Sequence, residues 1–428
     1  MRVLIVAYYY PPISSGGSAR PVAMVKHLTR LGHEVVVLTH GYLRPDRRDG
    51  RELRVYDPSH NRDRVGGGAV RWLARRLLIA GLNLAGSSRS IYSAWQARVL
   101  ERAGRLVEAA APELVIATYP PVEDLEIGLE LAARFAIPLV ADFRDGLLFE
   151  PIERDRIRRH RSVEEHYRRV ERAVAERAAA VVTVFPSLSA YFGSEYRRDD
   201  VVTITNGFDP EDFQGLPPSG HLDPTAFNIV HAGRFGGSDS GRDVGPLCDA
   251  LARCAGEGAA AGRELRLHLV GELTGRERRS FRPLVERGLV IEHGGQLRPR
   301  ALAAMTEADA LLLLTAPDRR GSAPGKLFEY LGAGRPILGL TAGSFAEEII
   351  RGTRSGWTVD PTDRDGLAGL LRGLARGERA PAPFAPDRER IANYSRERLI
   401  ARLDAVLRRV RPGDGPVPRS CTIGTMSS

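Results

Sequence analysis

Short apolar runs recur along the chain, each closed by Gly, Pro or polar residues and followed by a stretch with helical spacing. In the first half the runs fall at residues 3–7, 34–39, 114–117, 138–141, 181–184 and 201–205. The second half restarts the series at 227–231, 265–270, 289–292, 310–314 and 336–340. Strand-length runs that alternate with helices predict parallel sheets covered on their faces by helices. Two such series predict an α/β chain of two Rossmann-like, doubly wound domains facing a central cleft, one over residues 1–208 and one over 226–385. Residues 209–225, rich in turn formers and without apolar period, are expected to be the linker. Ile391, Leu399, Leu403, Val406 and Leu407 return at helical spacing. They predict one closing amphipathic helix within 386–411 that packs back toward the N-terminal domain. Residues 412–428 are expected to be a disordered tail.

Composition narrows the class. A chain of 428 residues exceeds one ordinary core, and 43% hydrophobic with 27% charged residues excludes a mainly disordered or collagen-like protein. Cys248, Cys254 and Cys421 show neither paired spacing nor a cluster with histidine, so no disulfide framework or zinc site is expected and a reducing cytoplasm fits. The opening Met1-Arg2-Val3-Leu4-Ile5-Val6-Ala7 lacks a basic leader and a small-residue cleavage site, and reads as a first strand. The formal charge of +9 comes largely from arginine. It permits contact with an anionic membrane surface, while GC-rich coding explains the same bias; nucleic acid is not expected as a partner.

The segment Gly321-Ser322-Ala323-Pro324-Gly325-Lys326-Leu327-Phe328-Glu329-Tyr330-Leu331-Gly332-Ala333-Gly334 carries the most chemistry. A first turn containing Pro324 and a stop at Gly334 define a short helix. Its start follows the run 310–314 and should face the crevice of a parallel sheet, where free amides and the dipole favour an anion such as a diphosphate. Lys326, Glu329 and Tyr330 share one helix face, and Glu329 suits two ribose hydroxyls. An exposed Lys326–Glu329 pair worth about 0.3 kcal/mol is the bland alternative. A second segment weighs against it: the run 227–231 leads into Ala232-Gly233-Arg234. Arg234, Lys326 and Arg242 could converge on two phosphates and balance leaving-group charge without a metal.

Four landmarks resemble motifs of glycosyltransferase family 4, the retaining GT-B enzymes: Gly233-Arg234; Lys326-Leu327-Phe328-Glu329-Tyr330 ending in Gly334-Arg335-Pro336; the turn Ile204-Thr205-Asn206-Gly207-Phe208-Asp209; and Tyr8-Tyr9-Tyr10-Pro11-Pro12 with Gly16-Gly17. The resemblance covers nearly the whole chain, and the lysine-containing motif is similar to that of surface-polysaccharide transferases. It implies that Arg234 and Lys326 contact the donor diphosphate, that Glu329 holds the ribose and that backbone around Leu297 recognises the base. Gly233, Gly325 and Leu327 join the donor site, with a nucleotide sugar as co-substrate and no cofactor or metal. Two departures stand out. Gly321 occupies the position of a glutamate near the transferred sugar, and the second basic residue after Gly-Arg is displaced, leaving Arg242 in its place.

In the N-terminal half Gly16 and Gly17 allow close approach of donor or acceptor to the first loop. Asp142-Phe143-Arg144-Asp145 follows the run 138–141, so Asp142 or Asp145 could take a catalytic part by accepting a hydrogen bond from the acceptor hydroxyl, or the set could simply fix its loop and cap the next helix. Tyr119, Asp142 and Arg144 are expected on the acceptor side. Most histidines, His33 and His231 included, need no catalytic explanation. Residues 64–100 mix apolar side chains with arginines, which suits either an amphipathic element on anionic lipid or one packed on its own domain. The acceptor is lipid-linked or a small molecule. The readings carried forward are polysaccharide or glycolipid synthesis, glycosylation of a soluble natural product, and a non-catalytic homologue binding nucleotide or a partner.

Overall fold

A computed structural model describes residues 1–13, 16–41, 47–57, 77–78, 81–82, 87, 90–235, 244–256, 263–316, 319–341, 343–378 and 384–411. The expected tail, Arg242 and most of residues 64–100 lie outside these. The chain divides into two compact units: Met1–Ile204 with the chain from Ile400 onward, and Thr205–Leu399.

The first unit is built on an eight-stranded sheet of β1 (Arg2–Val6), β2 (Glu34–Gly41), β3 (Arg47–Asp49), β4 (Glu52–Tyr56), β5 (Leu114–Tyr119), β6 (Leu139–Phe143), β7 (Ala180–Thr183) and β8 (Val202–Thr203). Its order is β3-β4-β2-β1-β5-β6-β7-β8, and every pair is parallel except β3 with β4. β1, β5 and β6 are buried along nearly their whole length, which is why they read as unbroken apolar runs.

In the second unit β9 (Phe227–Ala232), β10 (Leu265–Val270), β11 (Val290–Gly294), β12 (Ala310–Leu314), β13 (Ile337–Leu340) and β14 (Gly356–Val359) form an all-parallel sheet in the order β11-β10-β9-β12-β13-β14. One face packs on Phe235, Leu247, Leu251, Phe281, Leu367 and Leu371; the other packs on Leu302, Met305, Leu327, Leu331, Ile349 and Ile350. Helices thus cover both faces, as the alternating pattern predicts.

Three strands escaped the sequence reading: β3 and β14 at sheet edges, and β4 between β3 and β2. β4 alternates buried Leu53 and Val55 with half-buried neighbours, β14 is half-buried throughout, and β3 is wholly polar in sequence. Their strand state comes from pairing with a neighbour rather than from apolar content.

Two boundary expectations also change. Residues 209–225 are not a free connector: Pro210–Phe213 forms a 3-10 turn, Phe213, Leu216 and Leu222 pack on the second unit's core, and Ser219 N–H donates to Glu307 (2.8 Å). The closing helix is two helices, Arg388–Ala392 and Arg396–Arg409. The break lies where the chain pairs with its earlier crossing: Phe208 N–H donates to the Tyr394 carbonyl (3.1 Å) and Arg396 N–H to the Phe208 carbonyl (2.8 Å). From Ile400 the second helix belongs to the first unit, where Leu403 and Leu407 are buried and Asp404 meets His33 Nε2 at 2.7 Å.

Candidate functional site

β9 opens the second series yet lies inside its sheet, with β10 on one side and β12 on the other. Connections leaving β9 and β12 therefore diverge at the carboxyl edge, and such a switch point is where open parallel sheets hold ligands. The loop after β9 is Gly233-Arg234, and the loop after β12 leads into the helix Gly325–Ala333. Pro324 caps this helix instead of lying in its first turn, so the helix starts later than the sequence suggests, and Gly334 ends it in the left-handed region at φ 69°.

Lys326 joins the two loops. Its Nζ donates to the carbonyl of Arg234 and lies 3.1 Å from His231 Nε2. His231 Nδ1 is 2.9 Å from the Leu312 carbonyl, which can only accept; Nδ1 therefore carries the proton and Nε2 accepts from the ammonium. The imidazole stacks on Phe235 with centroids 3.7 Å apart and planes 9° from parallel. His231, set aside in the sequence, is thus a positioning residue for Lys326. Its only signal was its place two residues before Gly233 on a mostly apolar strand.

Gly233 makes this approach possible. It sits at φ 87°, and a Cβ there would lie 2.9 Å from Lys326 Cε. Arg234 is exposed, and among the described residues its guanidinium has no hydrogen-bonding or ionic partner.

Glu329 is half-buried and already engaged: its Oε1 accepts from Arg298 Nη1 at 2.6 Å, and Arg298 Nη2 donates to Asp212 Oδ2 at 2.7 Å. Arg298 was not read from the sequence, because the three segments it joins are distant in the chain. Leu297 caps the helix Arg298–Glu307 and is 77% exposed. One expected site member has a core side chain. Leu327 has a buried side chain, and its N–H donates to the Pro324 carbonyl (3.0 Å). Tyr330, not itself expected in the site, is also fully buried, its hydroxyl accepting from Ala232 N–H (3.0 Å) and donating to the Leu312 carbonyl (3.3 Å). At Gly325 an added Cβ would meet nothing within 4 Å.

The first unit repeats the switch-point logic between β1 and β5. Here Asp142 departs from its expected catalytic role. It is fully buried, with Arg20 Nε 3.0 Å from both oxygens, Arg20 Nη2 at 2.7 Å and the Thr118 hydroxyl at 2.8 Å. Both oxygens are occupied, so no face is open to an acceptor. Tyr119 is also buried, against Phe143. Arg144 fastens the edge: its guanidinium donates to the carbonyls of Gly17 and Pro120, tying the loops after β1 and β5 together. Burial pulls its pKa below the usual arginine range, against the opposing charges of Asp145, Asp142 and Asp124. Asp145 remains half-buried, and Gly16 is exposed with open space where a Cβ would stand.

Two buried carboxyls were missed. Glu123 and Asp124 lie in the first turn of the helix Val122–Phe135, where the dipole favours anions. Asp124 accepts the N–H of Tyr8 (3.0 Å), and burial raises its pKa well above the usual carboxyl range. Burial likewise raises Glu123 to about 7, although the Ser90 hydroxyl donates to it. Tyr8, just past β1, also donates its hydroxyl to Asp57 (2.5 Å), and its carbonyl accepts from His40 Nδ1 (2.7 Å).

The comparisons with known proteins bear on the fold. Residues 15–207 match the model of a glycosyl transferase 4-like domain. No curated protein matches the sequence. Among solved structures the chain is similar to sucrose-phosphate synthase from Thermosynechococcus elongatus, at 16% identity and TM-score 0.64 over 95% of this chain and 98% of that one. Anabaena Alr3699/HepE, solved with UDP and glucose, gives 16% identity and TM-score 0.60 over 95% and 99%. An α,α-trehalose-phosphate synthase (UDP-forming) from Burkholderia xenovorans, solved with glucose-6-phosphate, gives 13% and 0.63 over 95% and 100%. The fold is therefore the GT-B type: two Rossmann-like α/β units. Among the described residues no helix is long and apolar enough to cross a membrane.

Proposed function

We propose that the protein is a retaining glycosyltransferase that moves a hexose or amino sugar from a UDP-linked donor to an acceptor in polysaccharide or glycolipid synthesis. The observation that carries this reading is the docking of Lys326 on the Gly233-Arg234 loop at a helix start, at the sheet's switch point. An ammonium, an exposed guanidinium and helix-start amides form a cationic seat for a diphosphate. The UDP-bound Anabaena structure and the UDP-forming synthase share this fold, which supports uridine as the nucleoside.

In this reaction the donor's C1–O bond to the β-phosphate breaks as the acceptor oxygen bonds to C1 on the same face. Negative charge grows on the departing diphosphate, where Lys326 and Arg234 stabilise it without a metal. The acceptor proton passes to the leaving phosphate oxygen, so the burial of Asp142 removes no required base. Glu329 takes the ribose hydroxyls and the exposed Leu297 turn takes the base. Leu77 and Leu78, 62% and 44% exposed, support attachment of residues 64–100 to an anionic membrane and hence a lipid-linked acceptor.

Slow hydrolysis of a UDP-sugar in a panel of nucleotide sugars is the expected result. Gly321, in place of a sugar-side glutamate, favours a second reading: a non-catalytic homologue that binds nucleotide. That reading predicts UDP binding without turnover of any donor. Activity on a water-soluble acceptor without membranes would replace the lipid acceptor by a natural product.

A further inference from the structure

Arg298 occupies a position that helix energetics do not explain. It is the first residue of the helix Arg298–Glu307, where the macrodipole disfavours a cation. What holds it there is a pair of carboxylates from segments distant in the chain, Glu329 at 2.6 Å and Asp212 at 2.7 Å. Each amino end of the guanidinium meets one carboxylate, and each carboxylate is met at one oxygen only, Oε1 of Glu329 and Oδ2 of Asp212. The planar fork therefore fixes the Glu329 carboxylate while leaving its Oε2 uncommitted to Arg298.

We propose that Arg298 is a positioning residue for ribose recognition: braced by Asp212, it orients the Glu329 carboxylate so that Oε2 and the remaining lone pair of Oε1 meet the 2′- and 3′-hydroxyls of a ribonucleoside diphosphate. This rests on the donor-site reading above and extends it to a residue that itself touches no substrate. A carboxylate acts only as acceptor, and a diol supplies two donors at matching spacing. A glutamate free to rotate would lose rotamer entropy on binding, and Arg298 removes that loss in advance. Asp212 completes the device. It sits on the 3-10 turn Pro210–Phe213 and holds the guanidinium through Nη2 while Nη1 meets Glu329, so both terminal nitrogens are engaged.

The test is calorimetric titration of the full chain with UDP and with UDP lacking both ribose hydroxyls. Wild type is expected to favour UDP. Arg298→Ala should weaken UDP about tenfold, one oriented charge-assisted hydrogen bond, and change the dideoxy ligand less than twofold. Glu329→Ala should show the same pattern, the double variant should bind UDP no worse than Glu329→Ala alone, and Arg298→Lys should recover only part of the loss. Equal weakening of both ligands by Arg298→Ala would mean a merely structural role and would overturn the proposal, as would unchanged UDP affinity. Wild type that binds UDP without discriminating against the dideoxy ligand refutes the ribose role of Glu329 and the proposal with it. Wild type that binds neither ligand refutes the donor-site reading itself.

Discussion

Replacing Gly233 by alanine probes the proposed donor seat at its tightest point. The residue sits at φ 87°, where an L side chain costs about 1–2 kcal/mol. The new Cβ would also stand 2.9 Å from Lys326 Cε, and because the lysine end is flexible it would swing aside rather than strain the backbone. That swing takes the ammonium off the Arg234 carbonyl and His231. Thermal unfolding should therefore fall by about 2–4 °C per kcal/mol lost, for a unit of this size. UDP affinity should drop about tenfold, the lower end for a charge-assisted phosphate contact. The decisive measurement is a cycle with Lys326→Ala, reading both stability and UDP titration. With the lysine already gone, Gly233→Ala should still lower stability but leave affinity unchanged. If Gly233→Ala weakens UDP equally in both backgrounds, the glycine serves the ligand through the backbone and the Lys326 argument is wrong.

Other consequences are as direct. His231→Phe should keep the Phe235 stack yet remove the acceptor for Lys326, weakening UDP severalfold in titration while the fold persists by circular dichroism. Asp142→Asn should lower stability by about 3–5 kcal/mol in urea unfolding, because Arg20 loses its buried counter-charge; lost turnover with stability intact would restore a catalytic role. Glu123 titrates at about 7 in the folded chain against an ordinary 4.5. Its contribution is fully present below 4.5 and is lost as pH rises through 7, so Glu123→Gln should gain on wild type between pH 5 and pH 8 in denaturant midpoints. His40, His268 and His293 shift the opposite way, to about 4, because burial disfavours their cations. Their contribution is complete above 6.5 and fades as pH falls toward 4, so acid unfolding should begin in that window. Salt should release the protein from anionic liposomes in sedimentation if residues 64–100 attach it electrostatically.

Much of this protein was legible in the chain alone. Central strands buried on both faces must be apolar throughout, so β1, β5, β6, β9, β10 and β12 announce themselves, and Gly and Pro mark where the helix Gly325–Ala333 begins and ends. Residue types also brought Lys326 and the Gly233-Arg234 loop to one sheet edge, because two such segments together suit a common anion better than a surface ion pair. Tertiary structure decided what depends on partners distant in sequence. Asp142 looks like any strand-end carboxylate until Arg20 closes over it, and Tyr330, next to Glu329 in the chain, points its hydroxyl into the sheet. The ties of Arg298 to Asp212 and of His231 to Lys326 span 86 and 95 residues. Local pattern reports burial and backbone preference; which charges meet is settled only when folding brings such segments within hydrogen-bond reach.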